Sequence, residues 1–318
     1  MDTFCSITVV ASSKAEAKAA IDAGFEEIQK LETLLNYFSS ESELSAINNA
    51  AGAIPVKVSR ETVEILTKAM NIAEETDGAF DPTVAPVIRL WKFSKDPSDS
   101  VIPSADEVER ALSLVDYRNV FIDSSASEIF LEGKGMEMDL GGIAKGYAAD
   151  KAVLAIKSLG IQSALVAIAG DIRGFGVNTL GQPWKVGIQN PRPETDSEKP
   201  WEDIFATIQL KDSAVSTSGD YQRFFMRDGK RYHHILDPHT GYSAESGLIS
   251  STVIAPEGYL TDGLSTAVFI LGAEKGLHLL ESKGLGGVLV DAGKKVYLTK
   301  NLKGNVDILR DEYRITER

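Results

Sequence analysis

One cysteine, Cys5, stands in 318 residues. Its isolation excludes an internal disulfide and a cysteine-based zinc cluster and leaves the redox compartment open; within "CSITVVA" it reads as a small apolar strand residue. Long hydrophobic runs are also missing, since no apolar stretch approaches the roughly 20 residues of a membrane helix. With 43% hydrophobic and 25% charged residues the composition is that of a soluble globular chain. Bases are few beside acids, 33 against 46, for a formal net charge of -13 and a pI near 4.9. That balance argues against nucleic-acid binding, which needs a positive footprint, and an anionic ligand would need local help from a metal or a helix N-terminus. The opening "MDTFCSITVV" lacks the charged and apolar regions of a signal peptide. As written the chain is expected to be cytoplasmic, or periplasmic or a lipoprotein if a leader has been removed. The dinucleotide fingerprint GxGxxG is absent, "GFGVNTLG" having the wrong spacing, and so is GxxxxGK[ST].

The patterns that are present alternate between helix and strand. "CSITVVA" leads into a helix that Ser12 or Ser13 can cap, with Ala17, Ile21, Ile28, Leu31 and Leu35 at helical spacing. A second helix is predicted from about Ser59 to Thr76, stopped by Gly78, and a third opens at "SADE", where Ser104 and Glu107 have capping-box spacing. Val120 to Met138 reads as a hairpin around "DSSAS". A helix follows in "DLGGIAKGYAADKAVLAIKSLG". Strands are predicted near 164–169, 184–188 and 204–210, then a hairpin turning at Asp228-Gly229. "LISSTVIA" reads as a strand, "EGYLTDGLSTAVFILG" as a helix with another from Glu274, and "DAGKK" as a last hairpin turn. Because hairpins outnumber strand-helix-strand crossovers, the fold class is α+β with mainly antiparallel sheet. "NPRPETDSEKP" reads as an inserted loop.

Four stretches could carry chemistry. In "DLGGIAKGYAAD" two glycines stand at a helix mouth, Asp139 precedes it and Lys145 lies one turn inside; such an entrance attracts phosphate, although on this stretch alone a tight strand-to-helix turn with a solvated lysine is the simpler explanation. In "TDGLST", Asp262 and Thr266 share a helix face with Ser265 beside them. Oxygen donors of this kind suit a hard cation such as Mg²⁺, and they also serve as ordinary caps. In "YHHILDPHTGYS", His233 and His234 point to opposite faces of a strand, which disfavours a shared metal. One of them, facing inward, could be a general base or a hydrogen-bonded structural histidine. "FDPTVAP" could be only a turn with a proline-limited exit.

Taken together, "MDTF", "SSESELSAIN", "TDGAFDPTVAPVIRLWKF", "DLGGIAKGYAAD", "AGDIRGFG", "WKVGIQNP", "VSTSGDYQRFF", "HILDPHTG" and "TDGLSTAVFILG" resemble, in the family's order and almost end to end, the FAD:protein FMN transferases, the ApbE-type flavin transferases. The resemblance implies one flavin-transferase unit over residues 1–318, built of paired α+β layers as a T-fold-like duplication, with the FAD and metal site between two lobes. It also implies a Mg²⁺-dependent reaction: FAD, as substrate, is cleaved at its pyrophosphate, FMN passes to a threonine or serine hydroxyl of an acceptor protein, and AMP leaves. Acceptors of the family are redox-pump subunits and soluble reductases.

Carried over by motif, Asp262, Ser265, Thr266 and the carbonyl of Gly142 fall on the metal positions. His234 falls on the base that activates the acceptor hydroxyl, with His233 and His239 as bystanders. Met1, Phe38, Ala79, Phe80, Asp81, Asp139, Lys145 and Leu236 fall on FAD-binding positions. The sequence departs from the family at Asp2, which replaces a glycine, at Ser265, where some members carry Asp, and at Ala169, which replaces one glycine of a pair. Phe38 stands where relatives often carry Tyr or Asn. Two other readings compete: a hydrolase that splits FAD into FMN and AMP, and an FAD-binding or storage protein without chemistry.

Overall fold

The computed structural model describes residues 3–93, 99–193 and 199–316. They form two compact units, the first from Gln29–Ala144 and Gln222–Ala244, the second from Asp2–Ile28, Lys145–Tyr221 and Glu245–Arg318.

The second unit is built on an eight-stranded sheet. Its spatial order is Cys5–Val10, Ser163–Ile168, Asp171–Phe175, Ser213–Gly219, Leu248–Ala255, Gly286–Asp291, Lys295–Leu298, Arg314–Ile315. Every neighbouring pair is antiparallel except the last, a two-residue parallel pairing. A three-stranded sheet, Trp184–Gln189, Ile204–Leu210 and Val306–Ile308, shares a core with it through Phe205, Leu210, Val288 and Val290. The α+β, mainly antiparallel architecture expected from the hairpin count is the one observed.

Why the Ser213–Gly219 strand sits inside this sheet is a matter of hydroxyl pairing. Its sequence, SAVSTSG, has too few apolar residues to read as a buried strand, yet Ser216 and Gly219 are buried. Ser216 bonds Thr261 at 2.8 Å and Thr217 bonds Thr252 at 2.9 Å, so the buried hydroxyls satisfy one another. The helix Gly258–Ser282 packs on this strand and on Leu248–Ala255. It breaks at Gly272, whose φ of 80° and ψ of 177° only glycine adopts without strain; this matches the two helices read on either side of Gly272.

The first unit carries the helix Arg60–Glu75, capped by Ser59 through the Thr62 amide. Past its end, Asp77 and Gly78 both take positive φ, 50° and 76°, the left-handed stop expected there. The Ser104–Glu107 capping box forms in full. Val56–Lys57, Glu128–Leu131 and Val120–Asp123 make a small antiparallel sheet, and the core gathers around Val87, Trp91, Phe225 and Leu236. The Asp228-Gly229 turn joins Phe224–Arg227 to Lys230–His233, with positive φ at both turn residues, as the two-residue hairpin requires.

Candidate active site

In the second unit, two helices touch backbone to backbone. A Cβ on Gly146, in the helix Ala144–Ser158, would lie 2.0 Å from the Gly258 carbonyl oxygen, and one on Gly258 would lie 2.4 Å from that of Gly146. Asp150 of the first helix accepts the Gly258 and Tyr259 amides at 2.7 and 3.0 Å and so caps the second. This approach brings Asp262 to the Gly146 amide at 3.1 Å and to the Lys145 ammonium at 3.1 and 3.2 Å. Gly146→Ala is expected to cost about 3 kcal/mol, read as a lowered urea midpoint. Gly24→Ala, whose added carbon meets side chains rather than backbone, the end of Ile7 at 2.7 Å and Ile156 at 3.2 Å, is expected to cost much less.

Lys145 also pairs with Asp171 at 3.2 Å. Burial opposes its charge, but the two carboxylates outweigh it and hold the lysine above its ordinary pKa. Burial and then the Asp262 charge push Asp171 up to about 6, against the pull of Lys145. One ammonium between two buried acids leaves negative charge uncompensated. Beside it lie three hydroxyls: Ser218 is 2.9 Å from Ser265 and 3.1 Å from Thr266. Hard oxygen donors around surplus negative charge fit a divalent cation such as Mg²⁺. Among the described residues no three or more His, Cys, Asp or Glu gather as a metal cluster, so hydroxyl and carbonyl oxygens would have to complete such a site.

Lys145 stands at the second residue of its helix rather than one turn inside, because residues 140–143 form a turn in which Leu140 O accepts the Ile143 and Ala144 amides. Asp171 and Ser218 escaped the sequence reading of the site. Both lie in stretches noted there, "AGDIRGFG" and "VSTSGDYQRFF", but only the sheet order sets their strands side by side under the Asp262 helix.

In the first unit, hydrogen bonds tie together the stretches that hold most of the remaining candidates. The Asp139 amide donates to Pro82 O at 2.8 Å, joining the Asp139–Gly142 turn to Ala79–Asp81. Asp139 Oδ1 accepts the Gly141 amide at 2.7 Å. Asp81 is buried and accepts from the Thr83 amide and hydroxyl and from the Tyr117 amide; burial still pushes its carboxyl above the usual range. Ala79 and Phe80 are buried, whereas Phe38 is 91% exposed. Next to Phe38, Tyr37 donates to Glu137 at 2.7 Å, two residues before Asp139. Met1 lies outside the described residues.

His233 and His234 diverge, as strand alternation requires. His233 is buried with Nε2 3.1 Å from Ala244 O. His234, one residue beyond the strand, is half-buried; its amide donates to Arg223 O at 3.0 Å and its Nδ1 lies 3.3 Å from the same oxygen. Leu236 is buried in the core beside Trp91. His239 bridges two turns, with Nδ1 3.1 Å from Asp237 and Nε2 3.1 Å from Asp77 O. His239→Ala is expected to lower stability by about 1 kcal/mol, measured by thermal denaturation.

Comparison with known proteins supplies the family. The model of the ApbE family matches residues 1–289. An FAD:protein FMN transferase of Treponema pallidum is 34% identical over 96% of this chain and 87% of its own length, and one of Salmonella typhimurium is 32% identical over 85% and 77%. Among solved structures, an ApbE protein of Thermotoga maritima superposes with a TM-score of 0.84 at 34% identity, covering 94% of this chain and 95% of its own. The flavin transferase ApbE of Vibrio cholerae gives 0.81 at 28% identity, covering 96% of each. With a family model matching most of its length and relatives above 30% identity, the chain belongs to the ApbE family.

Proposed function

We propose that this protein is an FAD:protein FMN transferase that moves FMN from FAD onto a threonine or serine hydroxyl of an acceptor protein and releases AMP. Family membership and curated relatives named for this activity support the reaction class. The observation that carries the finer reading is a hydrogen-bonded set of oxygens: Asp262 holds Lys145, Ser265 bonds the Asp262 carbonyl, and Ser218 bonds Ser265 and Thr266, so the three residues that the family resemblance assigns to the metal lie together.

In the reaction, the acceptor oxygen bonds to the phosphorus on the FMN side of the pyrophosphate. The bridging P–O bond breaks, AMP departs with that oxygen, and the acceptor proton passes to the His234 imidazole. Asp262, Ser265, Thr266 and the Gly142 carbonyl are the residues that would hold Mg²⁺, which when bound neutralises charge building on the phosphates. Lys145 adds a fixed positive charge at the mouth of its helix, where anions are favoured. Ala79, Phe80, Asp81, Asp139 and Leu236, with Met1 and Phe38, are assigned to FAD. Asp81 and Asp139 both spend carboxylate oxygens on backbone amides, so they shape the turns around a flavin as well as touching it.

The test is incubation with FAD and Mg²⁺, with and without a peptide carrying a Gly-Ala-Thr acceptor, followed by peptide mass and released AMP. A mass increase of one FMN residue with stoichiometric AMP is expected. FMN and AMP formed equally without peptide would favour a hydrolase instead, and FAD bound but intact a storage protein.

A further inference from the structure

The hydroxyls beside Asp262 bond in one direction. Ser265 Oγ lies 2.9 Å from the Asp262 carbonyl oxygen, which can only accept, so the single hydrogen of Ser265 is given there. Ser265 must then accept from Ser218, 2.9 Å away, and that bond takes the single hydrogen of Ser218. Thr266, 3.1 Å from Ser218, is left as the donor in the remaining contact. Hydrogens therefore run from Thr266 to Ser218, from Ser218 to Ser265 and from Ser265 to the helix backbone. Reversing either contact between hydroxyls would leave one oxygen pair of the chain with no hydrogen between its members.

We infer that Ser218 is a positioning residue for the cation that Asp262, Ser265 and Thr266 are proposed to hold. The inference rests on that metal reading. A hydroxyl offers a cation its lone pairs, of which it has two, and repels it with its hydrogen. By accepting from Thr266, Ser218 draws that hydrogen aside and leaves both Thr266 lone pairs unspent. By donating to Ser265, it keeps the Ser265 hydrogen on the carbonyl and leaves one lone pair there. Ser218 itself belongs to the Ser213–Gly219 strand and is held in register against Ser251 of the neighbouring strand, so the orientation of two helix hydroxyls is set from the sheet. Outer partners of this kind orient the groups that touch a metal and spare it the cost of turning them.

The same strand pair supplies a control. Ser251, directly across from Ser218, points to the same face. It is fully buried, and among the described residues its Oγ has no hydrogen-bond partner. It is a serine in a neighbouring place with no part in the chain of hydroxyls.

The experiment measures the affinity of the protein for Mg²⁺ by titration calorimetry, without and with FAD, and then the initial rate of FMN transfer against Mg²⁺ concentration; thermal melting checks that each variant folds. Ser218→Ala is expected to weaken Mg²⁺ binding by about tenfold or more and to raise the Mg²⁺ needed for half-maximal rate in step, with the rate at saturating Mg²⁺ largely kept. Ser218→Thr and Ser218→Val have the same shape and differ in the hydroxyl, so the first should bind Mg²⁺ as the unaltered protein does and the second should match Ser218→Ala. Ser251→Ala should leave the affinity unchanged. Mg²⁺ binding that is equally tight in Ser218→Ala and the unaltered protein would overturn the inference and leave the metal reading standing. Equal losses in Ser218→Thr and Ser218→Val, or a loss in Ser251→Ala as large as that in Ser218→Ala, would assign the effect to packing and overturn it as well. A Ser218→Cys variant that exchanges its Mg²⁺ preference for a thiophilic cation such as Zn²⁺ would make Ser218 a ligand instead of a positioning residue. Absence of Mg²⁺ binding by the unaltered protein, with or without FAD, would sink the metal reading and this inference together.

Discussion

His234→Ala should lower FMN transfer about a thousandfold or more while FAD still binds. General-base assistance contributes about 10²- to 10⁴-fold, and that is the role proposed for this histidine. Nδ1 lies 3.3 Å from the Arg223 carbonyl, an acceptor, so the tautomer that bonds there carries its hydrogen on Nδ1. The lone pair is then on Nε2, the atom that would take the acceptor proton in the proposed reaction. His234→Asn keeps an N–H that can reach Arg223 O but has no basic nitrogen, so it should be nearly as inactive as the alanine variant. FMN transfer is followed by acceptor mass under single-turnover conditions, with FAD affinity from flavin fluorescence. Transfer within tenfold of the unaltered protein in both variants would remove His234 from the role of base.

Asp262→Ala should abolish Mg²⁺-dependent transfer and also destabilise the protein. Three groups lean on this carboxylate: the Lys145 ammonium, the Gly146 amide and, in the proposed reaction, the cation. Removing one partner of a buried charge pair costs about 3–5 kcal/mol, and Lys145 keeps Asp171 as a second partner at 3.2 Å, so the lower end is expected. Asp262→Asn separates the two effects. Its carbonyl still accepts from Lys145, so stability should largely recover, while the lost negative charge should raise the Mg²⁺ concentration needed for half-maximal rate by at least about tenfold. The measurement is initial rate against Mg²⁺ concentration, with chelation by EDTA abolishing the unaltered activity. An unchanged Mg²⁺ dependence in Asp262→Asn would separate this residue from the metal.

Local chemistry made much of the fold legible. The Asp228-Gly229 turn, the Ser104–Glu107 capping box, the stop at Gly78 and the break at Gly272 each follow from what a few neighbouring residues permit, and each stands where it was read. The Ser213–Gly219 strand did not announce itself, because its interior hydroxyls are satisfied by Thr252, Thr261, Ser265 and Thr266, partners 35 to 48 residues away in sequence. The same limit applies to the candidate site. Asp262, Ser265 and Thr266 lie within five residues of one helix and could be grouped by spacing alone. Asp171 reaches Lys145 only through strand order, and no pattern of periodicity encodes that.

Chain connectivity between the two compact units has an evolutionary consequence. The chain passes from one to the other after residues 28, 144, 221 and 244, so neither is a continuous stretch of gene. The hairpin that turns at Asp228-Gly229 and His234 reside in the short segment Gln222–Ala244 of one unit, while Asp171 and Asp262 flank that segment on either side in the other. A single recombination crossover cannot trade one unit whole. Exchange of the segment that codes for residues 222–244 would, however, carry His234 along with the hairpin and leave the oxygen cluster untouched. The proposed base and the proposed metal donors are in this way carried by separately exchangeable segments of the chain.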